Sequence, residues 1–386
     1  MSNSIVIGLD GGATKINGGI LLFNNEDKFK VTECISQTKI KYSELGGYID
    51  NFKPVPLDIQ LEEFKQVKIN LTQQEKKQGN LIIEAAAILI KKILDNQSFK
   101  NLYIGIGMPG LKTEDGLGIA AMANGPRMPD YVKNLTRFLK NMGFFLPTPI
   151  QKLGSDADFC GIGENYSQQG KLANVNTAYY IGIGTGIADA MKIDGKVIPF
   201  DNAKNWIAKS WEIGENGNSL EKYISMNSIE KNYKALFSNF TDTINAGNIF
   251  EKAGNNETEA CKILADVTTK LASLIFDRIC TLALGNSNLS FVNPAKKTLE
   301  KNHPYLGKIW ERIILGQRMG VLWDNVKYNS FFQEKVYEKL FKKINELPDE
   351  IKGNYLNRKN HLIVASKLTC APIIGAGVSA FLANKN

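Results

Sequence analysis

The sequence predicts an α/β protein of two domains, on three observations. Its 386 residues exceed what one hydrophobic core usually supports. Apolar, strand-like runs alternate with stretches of helical periodicity. A strand, glycine turn, strand pattern also occurs twice, as IVIGLDGGATKINGGIL at 5–21 and TAYYIGIGTGIADAMKIDGKV at 177–197, a weak internal repeat about 170 residues apart.

In chain order, 5–9 and 18–23 read as strands around the first turn, and KVTECIS at 30–36 extends them into a meander. The stretch 42–78 is polar, carries Pro54 and Pro56, and reads as an irregular elaboration of the first domain. A helix follows at 80–94 and a buried strand with a Gly/Pro turn at 101–110 (NLYIGIGMPG). An amphipathic helix at 131–143 ends in glycine. After the second hairpin, with a further turn at Asp194-Gly195, the chain becomes helical at 258–284 and 336–347. HLIVAS then reads as a strand and APIIGAGVSAFLA as a small-residue helix. The expected division is 1–152, 153–370, and a C-terminal helix at 371–386 returning to the first domain.

Composition narrows the function classes. At 43% hydrophobic and 22% charged residues, the chain is ordinary for a globular protein in water. The net charge of +8 comes from scattered lysines, without a basic arm, zinc-finger spacing or interleaved aromatics, so nucleic acid is not an expected partner. Five cysteines without a CxxC pair read as reduced thiols, and no N-terminal run is apolar enough for a signal peptide. LIIEAAAILI at 81–90 is too short to span a bilayer and contains Glu84, so neither a membrane partner nor a location outside the cytoplasm is expected. His303 and His361 are the only histidines, which argues against histidine-ligated metals and serine hydrolase chemistry.

Two such hairpins, one per domain and facing each other, would clamp a phosphate chain. Glycine lets backbone N–H groups approach phosphate oxygens, and threonine hydroxyls add donors. In the first hairpin Gly11, Gly12 and Thr14 would make that approach, while Asp10, ending the strand, would hold Mg2+ through water. Lys15 either offsets phosphate charge or is a solvated turn residue. Taken singly, each hairpin reads sooner as a plain β-turn.

Order and number carry a resemblance. GLDGGATK, GIGMPG, SDADFCGIGE, GIGTGIADAMKIDGKV, IILGQRMG and APIIGAGVSAFLA follow one another as do the segments of the sugar kinase and actin superfold. Within it the chain resembles the ROK family of bacterial sugar kinases and regulators, over nearly its whole length. The resemblance implies a two-domain actin-like ATPase (ribonuclease H-like) fold with a nucleotide cleft between the domains. It makes Asp156 the general base, which takes the proton of a sugar hydroxyl as that hydroxyl attacks the γ-phosphate. Asp156 also sits where SDAD would cap a helix, and both roles are compatible. Gly184, Thr185 and Gly186 fall on the second phosphate turn, Gly316 on the adenosine turn, and Arg318 beside it is either a nucleotide contact or solvated. Gly110, Asn124, Ser155, Glu212, Glu215 and Glu221 fall on substrate-contacting positions.

The chain departs from the family pattern around the sugar. Between Gly214 and Leu220 the family's cysteine-rich zinc loop is deleted, so no structural zinc is expected, and Glu215 stands for a histidine. Ser155 and Asp158 replace asparagines, and Ala188-Asp189-Ala190 replaces a glycine-bearing turn end. The leading expectation is an ATP- and Mg2+-dependent kinase acting on a hexose hydroxyl, most plausibly the 6-hydroxyl of glucose or a related hexose or amino sugar, and a homodimer. The alternatives are an ATPase of the same superfold acting on a protein partner and a degenerate sugar- or nucleotide-binding protein. A repressor is disfavoured because only four residues precede the first strand.

Overall fold

Each glycine hairpin seeds one sheet, and the two sheets have the same topology. The computed structural model describes residues 4–24, 30–95, 97–215, 217–239, 243–292 and 297–385. Two compact units form: residues 1–170 with 370–386, and residues 171–369. The first unit runs β1 (Ser4–Gly11), β2 (Lys15–Phe23), β3 (Val31–Lys41), α1 (Leu57–Lys65), α2 (Gln73–Ile93), β4 (Asn101–Gly107), β5 (Leu111–Lys112), β6 (Ile119–Ala121), α3 (Tyr131–Asn141), β7 (Leu153–Gly154) and α4 (Asp156–Tyr166). The second opens with β8 (Ala178–Ile183), β9 (Ile187–Ile193), β10 (Lys196–Ile198), β11 (Ile213–Glu215), β12 (Asn218–Ser219), α5 (Glu221–Ile224), α6 (Met226–Lys234) and α7 (Ala246–Gly254). It continues with α8 (Thr258–Leu284), β13 (Ser290–Phe291), β14 (Arg312–Gly316), α9 (Gln317–Trp323), α10 (Glu334–Ile344), α11 (Asp349–Leu356) and β15 (Ile363–Ala365). The chain then returns to the first unit as α12 (Ala371–Ala383).

The first sheet has the order β3-β2-β1-β4-β7 and the second β10-β9-β8-β14-β15. In both, a three-strand antiparallel meander is followed by two strands parallel to the meander's first strand. The sequence repeat is therefore a repeat of architecture. The boundary between the units lies after Gly170, beyond the 152/153 position expected from sequence, because α4 packs along α12 within the first unit.

In the first unit, Ile7 and Leu9 alternate with Gly8 along β1, as a strand of period two requires. The isoleucine and leucine join Ile82, Leu89 and Ile90 of α2 and Leu135 and Leu139 of α3 in one core cluster. The opposite face lies against α12, and the approach there is backbone to backbone. A Cβ placed on Gly8 would lie 1.7 Å from the Ile373 carbonyl oxygen, and one on Gly105 would lie 1.8 Å from that of Ala376. In the second unit, α8 is the central element, burying Leu271, Leu274, Ile275 and Ile279 against Tyr179, Trp310 and Ile313.

The stretch 42–78, expected to be irregular, contains α1 and the first turn of α2. Thr72 and Glu75 form a reciprocal capping box that starts α2 earlier than its apolar periodicity shows. The glycine pairing against α12 gives a direct test. Gly105→Ala should destabilise the chain by ~3 kcal/mol or more, because the clash is with backbone and cannot relax through a rotamer. Urea unfolding measures it, and a Gly143→Ala control, where a Cβ meets nothing within 4 Å, should show only the smaller strain of its positive φ.

Candidate active site

The first unit places its two expected acids at one sheet edge by strand register. Asp10 pairs with Gly107, and Gly107 with Gly154, across the parallel strands β1, β4 and β7. Two residues past Gly154, Asp156 is the first residue of α4. The carboxyl ends of parallel strands at the centre of such a sheet are the usual position for a ligand site. Burial pushes the Asp10 carboxyl up to about 6, the nearby Asp156 charge pushes the same way, and Asn17 and Lys15 oppose it. Asn17 donates to Asp10 at 3.4 Å. Two neighbouring acids, only partly offset by Asn17 and Lys15, suit a divalent cation. No cluster of three or more candidate ligands occurs among the described residues, so a cation held here would complete its shell with water or phosphate oxygens.

The hairpin itself is tight. Gly11 closes the β1–β2 pairing opposite Ile16, and the Gly12 N–H donates to the Lys15 carbonyl at 2.9 Å. Thr14 and Lys15 are exposed at its tip, and the Thr14 carbonyl accepts from the Tyr42 N–H at 3.0 Å. Tyr42 is fully buried, and its phenol is held neutral, first by burial and then by the neighbouring Tyr131 and Asp10.

Ser155, expected to touch substrate, is the N-cap of α4, and its hydroxyl faces the Asp158 N–H at 3.5 Å. The cap role expected for the SDAD stretch thus falls to its serine, leaving the Asp156 carboxylate outside that bond. Gly110 adopts φ +94° and lies against the Ala121 carbonyl, so the turn after β4 abuts β6 and the loop carrying Asn124. Asn124 is exposed.

In the second unit, β8 and β14 pair in parallel with Gly182 opposite Gly316, so both strands end in glycine turns at one edge. The second turn closes with the Gly184 N–H donating to the Gly186 carbonyl at 2.9 Å, and Thr185 is exposed at its apex. A Cβ on Gly184 would meet the Gln317 amide oxygen at 2.2 Å, which brings the 184–186 turn and the turn after β14 side by side. Gln317 holds φ +56°, a strained value for a side-chain-bearing residue. Arg318 is exposed next to it.

The three glutamates divide. Glu221 joins the second turn: its carboxylate accepts from the Ile187 N–H at 3.1 Å and lies against Gly186. Burial raises its proton affinity, the Ile187 N–H lowers it, and Asp189 raises it. Glu212, by contrast, gives both oxygens to Lys297 at 2.9 and 2.8 Å and accepts from the Lys209 N–H at 2.7 Å. Glu215 pairs with Lys270 of α8. Two of the expected hydroxyl acceptors therefore already hold a lysine. A carboxylate has about four acceptor positions, so Glu212 keeps one for a hydroxyl. It lines a cavity of about 380 Å³ with Trp211, Asp201, Lys204, Asn205 and Lys297. The cavity is open to solvent, and its lining is mostly charged, with Lys209 completing it and Trp211 as its apolar side chain.

Sequence reasoning missed the buried cluster behind this turn. Asp189, noted only as a departure from glycine, is buried and accepts from the Tyr179 hydroxyl at 2.9 Å, the Ser210 N–H at 2.8 Å and the Ser210 hydroxyl. Arg278, fully buried, donates to the Ser210 hydroxyl at 3.2 Å and lies over the Tyr179 ring. The signal was present as Asp277-Arg278 inside the mostly apolar second half of α8, 271–284.

No protein-family model matches the chain, and no curated protein matches it. Solved structures do. The ROK hexokinase from Thermus thermophilus aligns over 99% of both chains at 16% identity with a TM-score of 0.55. A ROK family glucokinase from Streptomyces griseus, solved with glucose and AMPPNP, aligns over 98% of this chain and 99% of its own at 14% identity and a TM-score of 0.56. A ROK family transcriptional regulator, a homolog of the E. coli MLC protein, aligns over 98% of this chain and 78% of its own at 12% identity and a TM-score of 0.57. Likeness at this identity shows the fold, which is the two-domain actin-like ATPase fold.

Burial of Asp10, with the Asp156 charge beside it, makes stability depend on pH. With its folded value near 6 against an ordinary 3.8, Asp10 keeps its proton in the folded chain where the unfolded chain has lost it. Stability should therefore fall as pH rises from about 4 to 6 and level off above. Metal-free Asp10→Asn should gain up to ~3 kcal/mol over the wild type above pH 6, and little at pH 4. Chemical denaturation in EDTA at both pH values measures the gap.

Proposed function

We propose that the protein is an ATP-dependent sugar kinase that transfers the γ-phosphate of Mg-ATP to a hexose hydroxyl, most plausibly the 6-hydroxyl of glucose or a related hexose or amino sugar. The observation that carries this reading is the placement of Asp10 and Asp156 level at one sheet edge, in a fold shared with a glucokinase solved with glucose and AMPPNP. Asp156, free of the capping bond that Ser155 makes, serves as the base that accepts the hydroxyl proton. Mg2+ at Asp10 would neutralise phosphate charge, and relief of the repulsion between the two acids favours its binding. The glycine turns at 184–186 and 316–318 suit phosphate and adenosine, with Thr185 and Arg318 exposed as donors. In the second unit, the cavity beside Trp211 suits a pyranose, with an apolar ring face on the indole and hydroxyls on Glu212 and Asn205. The family reading is ROK, and the loss of the zinc loop fits the direct pairing of Glu215 with Asn218 across β11 and β12.

A second reading, a sugar- or nucleotide-binding protein without turnover, draws on one observation. The lysines that occupy Glu212 and Glu215 reduce their capacity to bind hydroxyls.

Release of ADP from Mg-ATP across a panel of hexoses and amino sugars separates the two. A kinase should release ADP with a particular sugar, and Asp156→Asn should lower that rate by about 10²–10⁴-fold, the usual worth of a positioned base. Sugar-independent release untouched by the mutation would mark an ATPase. Binding of sugar without any release would favour the second reading.

A further inference from the structure

The stretch 42–78 is fastened to the first unit by polar contacts. On α1 the buried side chain is Gln60, while Leu57, Ile59 and Leu61 are 45%, 46% and 38% exposed. An ordinary surface helix buries the opposite set. Gln60 grips one residue of the neighbouring loop from both sides: its amide accepts from the Met122 N–H at 2.7 Å and donates to the Met122 carbonyl at 3.2 Å. A third bond, to the Val55 carbonyl at 2.6 Å, fixes the amide's orientation.

Five residues on, the same loop is gripped again. Arg127 is 1% exposed and makes a two-point contact with Glu75, at 2.7 and 2.8 Å. It also binds Glu63 of α1 and donates to the Asn70 carbonyl at 3.0 Å. Every one of these partners belongs to the stretch 42–78. Gly125, Pro126 and Met128 are buried around Arg127, and Asn124 stands exposed between the two grips.

We infer that the 42–78 stretch is a brace that positions Asn124 for the acceptor sugar, with Gln60 and Arg127 as positioning residues. The inference rests on the kinase reading and on Asn124 touching the acceptor. A brace built from hydrogen bonds fixes direction as well as distance, which apolar packing would not do. It is also continuous with the acid edge: Met108 packs at Gly11, and the Gly110 turn that follows lies against Ala121 and Met122. The loop is thus held from the sheet on one side and from the brace on the other.

Steady-state kinetics of Gln60→Ala test this, with hydrogen exchange of the loop 120–126 as a readout that needs no sugar. Loss of three backbone-directed hydrogen bonds, two of them to the loop, should raise the KM for the sugar about tenfold, leave the KM for ATP within about twofold, and speed exchange of the loop. Gln60→Glu, which can still accept from the Met122 N–H but turns a buried carboxyl oxygen toward the Met122 and Val55 carbonyls, should raise the sugar KM at least as far. Should Gln60→Ala fail to fold, Glu63→Gln loosens Arg127 at its part-exposed partner and should show the same selective rise. Faster loop exchange with an unchanged sugar KM overturns the inference and leaves the kinase reading standing. So does a rise in both KM values together with a lowered unfolding midpoint, which marks a purely structural role. A wild-type chain that phosphorylates no sugar in the panel overturns the kinase reading and this inference with it.

Discussion

Everything at the first unit's acid edge depends on how closely α12 approaches the sheet. A helix normally packs on a sheet about 10 Å away, with side chains between them. Here the helix backbone rests against Gly8 and Gly105 at contact distance, and α4 is drawn in by the same means. Gly163 of α4 meets the Ala371 carbonyl, and Gly375 of α12 meets that of Phe159. Helix, helix and sheet therefore lock without intervening rotamers, and a rigid stack of this kind leaves the first residue of α4 little freedom. That residue is Asp156, so its place relative to Asp10 is fixed by glycine contacts on β1, β4, α4 and α12. Pre-organisation of this kind holds charge where water would otherwise reorganise around it.

The second constraint is the handling of buried charge, and the two units solve it differently. In the first, Arg127 meets two glutamates and a carbonyl, so its donors are met within one small brace. In the second, Arg278 lies 3.7 Å from Asp277 and reaches Asp189 only through Ser210. Asp277 in turn accepts from Ser287 and from the Asn288 and Leu289 N–H groups, which ties the chain after α8 back onto that helix. Breaking a buried pair typically costs about 3–5 kcal/mol, far more than such a pair contributes over an apolar replacement. Both networks are therefore better understood as fixing one arrangement than as adding stability. Each holds a loop next to a residue of the candidate site: Asn124 in one case, and the Ser210–Glu212 turn in the other.

Much of this architecture was legible because it is local. The hairpin at Asp10 and the helix at 258–284 are written in neighbouring residues, and the repeat of the hairpin announced the repeat of the sheet. What was not legible depends on partners distant in sequence. Glu212 is met by a lysine 85 residues away, and Glu215 by one 55 residues away, so their spacing next to Gly214 carries no trace of either. α1 escaped notice for a related reason: its buried residue is a glutamine and its exposed ones are aliphatic, which inverts the periodicity used to find helices. Ser155 shows how two readings can meet at one residue. As a substitute for asparagine it falls on a substrate-contacting position, and its place before α4 also makes it the cap that the SDAD stretch promised.

The substitution of Asp189 for a glycine-like residue follows from the same logic. Glycine at that point would leave the Tyr179 hydroxyl and the Ser210 N–H without their shared acceptor inside the core, and would remove one of the anions that face Arg278. Each orphaned group would cost about 1–3 kcal/mol. The acid and the arginine therefore belong to one buried network joined through Ser210. The turn at Ser210 that they secure leads directly into Trp211 and Glu212, the residues that line the cavity. The candidate pocket is thus supported by buried hydrogen bonds. The pocket's geometry is then maintained from within α8 and β9, elements that are already fixed by the hydrophobic core.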